Sequence, residues 1–191
     1  MCKVGGGWQR VIGSHKVFRD NQASMTTYCI FDSDYHTFEK KEQRLSEAKA
    51  QGINLHIWSH KEIENYLLCP GAICRVITKN RKSQSVTEAE ILKQINIICE
   101  DLKEDVLDCY ATEIKNKDNS KGVKTANQEA RNYINPLWDE RKGALVSGKD
   151  VISKLGSWIT ENQKVSINRF VIAREMMLNE INDEVVNLIK D

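Results

Sequence analysis

Asp32 and Asp34 stand two residues apart at the end of an apolar run, Thr26-Thr-Tyr-Cys-Ile-Phe31. Two carboxylates that close repel, and either solvent or a divalent cation must relieve the repulsion. Magnesium favours carboxylate and water oxygens, usually with a substrate phosphate completing its shell. The end of a buried strand is also where open α/β sheets place their ligands. A solvated turn is the plainer account, because Asp and Ser are common turn residues.

A second acidic pair, Glu62 and Glu64, follows a second apolar run, Ile53-Asn-Leu-His-Ile-Trp58. Residues i and i+2 do not share a helix face, but at a strand-to-helix junction both can turn toward one cation. The plainer account is two acids complementing the dipole of a first helical turn. Lys149 follows Gly148 at an expected helix start and could reach a phosphate as a point charge. A surface lysine is the alternative. The triple glycine at 5–7 lacks the Gly-Lys-Ser/Thr ending of a phosphate-binding loop. His36 lies near the aspartates in sequence, and His56 falls inside an expected strand and reads as structural. No serine or cysteine stands in a recognisable nucleophile setting.

Elements of alternating type must position these groups. The apolar opening Met1-Cys-Lys-Val4 reads as the end of a strand running into a triple-glycine turn, and Trp8 to Asp20 as a helix. Thr26–Phe31, apolar without alternation, reads as a strand buried on both faces. Phe38–Ala50 is helix-favouring and stops at Gly52. Ile53–Trp58 reads as a second strand, followed by Ser59 as N-cap and a helix over Glu62–Leu68. This rhythm predicts a small parallel sheet with helices on its faces. From Thr87 to about Lys115, apolar residues at 91, 95, 98, 102, 106 and 109 predict one long amphipathic helix. Further helices are expected over Ala126–Trp138, from the turn at 147–150 to about Asn162, after a Ser166 cap, and over Ile181–Ile189. The chain divides into an α/β core, residues 1–80, and a helical extension packed on it, residues 81–191.

The bulk composition limits the function classes. The 191 residues are 40% hydrophobic and 29% charged, which suits a globular chain with a real core. No apolar run is long enough to span a bilayer, and no signal peptide is apparent, so a cytoplasmic location is expected. The 6 cysteines form no Cys-x-x-Cys pair. Cys69 and Cys74 fit no common zinc template. A net charge of +1 is not the basic footprint of a protein that grips DNA unaided. Local patches, metal or another chain must supply the grip.

Three blocks together carry a more specific likeness: Asp32-Ser-Asp34-Tyr, Trp58-Ser-His-Lys-Glu-Ile-Glu-Asn-Tyr-Leu-Leu68 and Gly148-Lys149-Asp-Val-Ile-Ser-Lys-Leu155. In order and spacing they resemble the Toprim region of the OLD (overcoming lysogenization defect) nucleases and related ATPase-linked antiphage proteins. The resemblance spans residues 5 to 190. It implies a small Toprim-like parallel sheet and a two-metal DNA endonuclease using Mg2+ or Mn2+. Asp32, Asp34, Glu62 and Glu64 would be the metal carboxylates. Asp32, Asp34, Glu64 and Lys149 would be the catalytic residues, with the lysine stabilising transition-state charge. It implies DNA and an ATPase domain or subunit as partners, with a homo-oligomer possible. The family's opening strand, which ends in a glutamate, has no counterpart ahead of Met1. One acidic residue is therefore expected to lie outside this chain.

Two other classes fit parts of the pattern. Asp32-x-Asp34 after an apolar strand also resembles the nucleophile motif of haloacid-dehalogenase-type phosphatases, with Asp32 attacking phosphate. His36 stands where that motif has Thr or Val, and no later acidic pair stands at a strand end. The chain could instead be a regulatory or assembly module that binds an ATPase through its long helices.

Overall fold

The computed structural model describes residues 7–20, 26–80 and 86–190, without the side chains of 18–20. They fall into two compact units. One holds Met1–Phe31 with His36–Ile57, the other Asp32–Tyr35 with Trp58–Asp191. The strand end read in the opening Met1-Cys-Lys-Val4 lies outside the described residues.

The first unit runs α1 (Trp8–Asp20), β1 (Thr27–Phe31), α2 (Phe38–Gln51) and β2 (Ile53–Ile57). The strands pair in parallel, Thr27 opposite Ile53 and Phe31 opposite Ile57. The α/β class and the parallel pairing expected from the sequence are present. Gly52 closes α2 in the left-handed conformation, φ 72°, with its N–H on the carbonyls of Ala48 and Lys49. Glycine enters that conformation without a Cβ penalty.

Trp8, Val11 and Ile12 of α1 and Ala48 of α2 pack with Cys29, Phe31, Ile53 and Leu55. Those sheet residues share one face by strand parity. Tyr28 and Ile30, on the other face, are 68% and 55% exposed. The expectation that β1 is buried on both faces is thus corrected. Apolar residues occupy both parities of the run, but only the odd-numbered ones meet the helices.

The second unit follows Asp32–Tyr35 and Trp58 with two 3-10 turns (Ile63–Leu67 and Leu178–Glu180) and seven helices among the described residues. These are α3 (Pro70–Lys79), α4 (Glu88–Asp101), α5 (Lys103–Lys117), α6 (Val123–Leu145), α7 (Gly148–Gln163), α8 (Arg169–Glu175) and α9 (Asp183–Lys190). Three sequence expectations change. The acidic block forms a 3-10 turn capped by Glu62, not an α-helix capped by Ser59. Cys69 precedes Pro70 and is extended, φ −99° and ψ 105°, so the turn must end before it can become a full helix. The long helix predicted over 87–115 breaks at Leu102, whose N–H reaches back to both Ile98 and Cys99. The cap before α8 is Asn168, which accepts from the N–H groups of Phe170 and Val171, rather than Ser166.

The core of this unit joins Ile91, Ile95 and Cys99 of α4, Ala130, Ile134 and Trp138 of α6, and Val151, Leu155 and Ile159 of α7. Each large side chain removed from water contributes about 1.5–3 kcal/mol. Val146, between α6 and α7, is buried in the same core. Cys29, Cys69, Cys74, Cys99 and Cys109 are free thiols. No helix among the described residues is long and apolar enough to cross a membrane.

Candidate active site

The second unit gathers the sequence-predicted residues Asp32, Asp34, Glu62, Glu64 and Lys149. Backbone bonds align the two acidic blocks. The Asp34 N–H donates to the carbonyl of Lys61 at 2.9 Å, and the Asp32 carboxylate accepts from the N–H of Ile63. Asp34 adopts φ 46°, a left-handed conformation that Asp tolerates better than most residues.

The Glu62–Leu68 block is anchored to the C-terminal end of α6. The Lys61 N–H donates to the Ala144 carbonyl at 2.8 Å. Asn65 Nδ2 donates to the carbonyls of Gly143 and Val146, both at 2.8 Å, while its Oδ1 accepts from the Glu62 N–H at 3.0 Å. Buried Asn65 thus satisfies carbonyls that a helix end leaves without partners.

Glu62 is 2% exposed, and both of its oxygens are engaged. Oε1 accepts from Ser147 Oγ at 3.1 Å and from the Lys149 N–H at 2.8 Å. Oε2 accepts from Lys61 Nζ at 3.0 Å and Lys149 Nζ at 3.1 Å. An ionised carboxylate has about four such acceptor positions. Burial alone would raise its pKa, but the Lys149 N–H and the two lysines outweigh burial and lower it to about 2. The carboxylate also lies at the N-terminus of α7, where the helix dipole favours negative charge.

Glu64 is buried as well. Its Oε1 accepts from Arg169 Nη1 at 3.0 Å, and Lys149 Nζ lies 3.7 Å from Oε2. Oε2 itself is buried without a hydrogen-bond partner. Asp32 is raised above the ordinary carboxylate range, first by burial and then by the negative charge of Asp34. Lys149 and the Ile63 N–H offset part of that rise. The Lys149 ammonium is held above its usual pKa, chiefly by its hydrogen bond to Glu62.

These groups make a compact anionic site answered by cations. Among the described residues, no three His, Cys, Asp or Glu side chains are grouped to hold a metal ion. The donor chemistry nonetheless suits a hard cation in two respects. Glu64 Oε2 is a buried carboxylate oxygen without a hydrogen-bond donor, and the charge of Asp34 adds to burial in raising the cost of ionising Asp32. Glu62 differs, because its acceptor positions are filled by Lys61, Ser147 and Lys149.

Reading the sequence missed Arg169 and Ser147. Arg169 opens α8, where a cation opposes the helix dipole; that mismatch was a usable signal. Ser147 entered the sequence reading only as part of the turn at 147–150; in the structure its Oγ caps α7 by accepting from the Asp150 N–H. His36 belongs to the first unit. The chain matches no protein-family model, no curated protein and no solved structure.

Proposed function

We propose that this chain is a metal-dependent phosphodiesterase of the Toprim type, acting on DNA and working with an ATPase domain or subunit. One observation carries the reading: Asp32, Glu62, Glu64 and Lys149, distant in sequence, are electrostatic neighbours in one unit. Carboxylates beside a lysine are what phosphoryl transfer requires, since its catalysis is mostly positioning and charge stabilisation.

Asp32, Asp34 and Glu64 would hold Mg2+ or Mn2+, Glu64 through the oxygen that lacks a donor. The cation supplies Lewis acidity to the phosphoryl oxygens and the attacking water. Lys149, about half exposed, faces the phosphate and balances the charge that develops there. Glu62 orients Lys149 through both its backbone N–H and its Nζ; on this reading it is a positioning residue rather than a ligand.

Supercoiled plasmid tests the proposal. The chain is expected to nick it in Mn2+ and not in EDTA, with loss in Asp32→Asn and Lys149→Met. Calorimetry should register Mn2+ binding that Asp34→Asn abolishes. A chain that neither binds Mn2+ nor nicks would instead be read as an assembly module. The pairing of Glu62 and Glu64 with Lys61, Lys149 and Arg169 favours that second reading.

A further inference from the structure

Beside Glu64 and Lys149 opens a cleft of about 770 Å³. One wall is α7, which presents Ser153, Gly156, Ser157 and Thr160; the other is Asn168, Arg169 and Phe170. Phe170 is 64% exposed, although a large aromatic side chain normally gains by burial. The guanidinium of Arg169 stands 5.0 Å from the centre of its ring. The same guanidinium reaches Glu64 at 3.0 Å. One arginine therefore links an exposed aromatic surface to the carboxylate site.

We propose that this cleft is a subsite for one unstacked nucleotide of a single-stranded nucleic acid. Its base would lie on Phe170, and its phosphate would face Arg169 and Lys149. The inference deepens the phosphodiesterase reading and rests on it for the position of the reacting phosphate.

Four features support that ligand class. Bases stack on aromatic rings and on arginine planes irrespective of sequence. Both surfaces are present and already in contact. The volume lies within the roughly 300–1,000 Å³ of small-ligand sites. A duplex contact, by contrast, covers on the order of 1,000 Å² of protein. Between Ile152 and Glu161 the wall of α7 presents only small and hydroxyl side chains at Ser153, Gly156, Ser157 and Thr160, which leaves room for a flat ring opposite Phe170. Stacking also answers the charge problem, because a chain of net charge +1 cannot rely on backbone electrostatics alone.

Fluorescence anisotropy in EDTA reads this cleft separately from cleavage. The probes are labelled dT12, with a 12-base-pair hairpin duplex and thymidine monophosphate as competitors. Wild-type protein is expected to bind dT12, with the hairpin and the monophosphate competing at least tenfold more weakly. Phe170→Ala should weaken dT12 binding about tenfold, and Phe170→Tyr should restore it. Phe38→Ala, which removes an equally exposed phenylalanine from the other unit, should bind as wild type. Wild-type binding by Phe170→Ala, or competition by hairpin or monophosphate equal to dT12, overturns the proposal.

Nicking by Asp32→Asn, measured in parallel, keeps the two readings apart. If that variant nicks normally while Phe170→Ala loses dT12, the cleft stands and the metal site falls. If Asp32→Asn loses nicking while Phe170→Ala binds normally, the cleft falls and the metal site stands.

Discussion

Gly148 lies so close to Asn65 that a Cβ on the glycine would stand 2.5 Å from the Asn65 nitrogen and 2.7 Å from the carbonyl carbon of Glu64. Those neighbours are backbone and cannot rotate away. The contact presses the start of α7 against the acidic turn, which is what lets the Lys149 N–H reach Glu62 at 2.8 Å. Gly148→Ala is therefore expected to cost about 2–3 kcal/mol in urea unfolding. Gly71 is the contrast. A Cβ there would meet Glu180 Oε1 at 2.5 Å, the end of a flexible side chain, and alanine also favours the α3 helix. Gly71→Ala should stay within about 1 kcal/mol of wild type. Equal losses in the two variants would show that the approach of Gly148 to Asn65 has no special role.

Asn65→Asp separates packing from hydrogen bonding. The residue keeps its size, but its two donors become a carboxylate facing the carbonyls of Gly143 and Val146. A buried, unsatisfied and like-signed group costs more than a lost hydrogen bond. Destabilisation of about 3 kcal/mol or more is expected near neutral pH, measured by urea unfolding, and smaller at pH 4, where the new carboxyl becomes protonated. A variant as stable as wild type would mean that Asn65 does not anchor the acidic turn.

The chemistry-bearing types were legible in the sequence to an uneven degree. Asp32 and Asp34 could be placed after a strand because Thr27–Phe31 is β-branched and aromatic, and β1 does end at Phe31. Gly148-Lys149 could be placed at a helix start because the Ser-Gly-Lys-Asp run at 147–150 reads as a turn, and α7 does begin at Gly148. The ion pairs were not legible. Arg169 and Glu64 are 105 residues apart, and no local periodicity encodes which cation answers which carboxylate; packing of α7 and α8 decides it. Nor was the exposure of Tyr28 and Ile30 readable. An apolar strand residue looks the same in sequence whether or not a helix covers it.

Glu62 offers a pH signature. Its folded pKa, near 2, is below the ordinary 4.5, so folding favours the ionised form. Its contribution is then complete above pH 4.5 and is lost as pH falls toward 2. Glu62→Gln should lower stability at pH 7 by on the order of 3 kcal/mol, with Lys61 left buried beside a neutral side chain. The gap between variant and wild type should narrow from pH 4.5 to 2 in chemical unfolding. A gap independent of pH would show that the lysine bonds do not hold the carboxylate ionised.

Asp34 tests whether the site keeps its charge at a cost to the fold. Its φ of 46° is unfavourable for an L-residue by about 1–2 kcal/mol, and its charge raises the pKa of Asp32. A purely structural turn would favour Gly or Asn there. Asp34→Asn retains tolerance for the left-handed backbone and the N–H bond to Lys61, while it removes one of two repelling charges. It should match or exceed wild-type stability in thermal unfolding at pH 7, yet bind Mn2+ at least tenfold more weakly in calorimetry. Asp34→Val, which keeps neither the conformation nor the charge, should lose about 1–2 kcal/mol as well as the cation. Stability gained together with affinity lost is the pattern of a residue selected for ligand chemistry. If Asp34→Asn is instead less stable and binds Mn2+ as wild type does, the carboxylate serves the turn and not a metal.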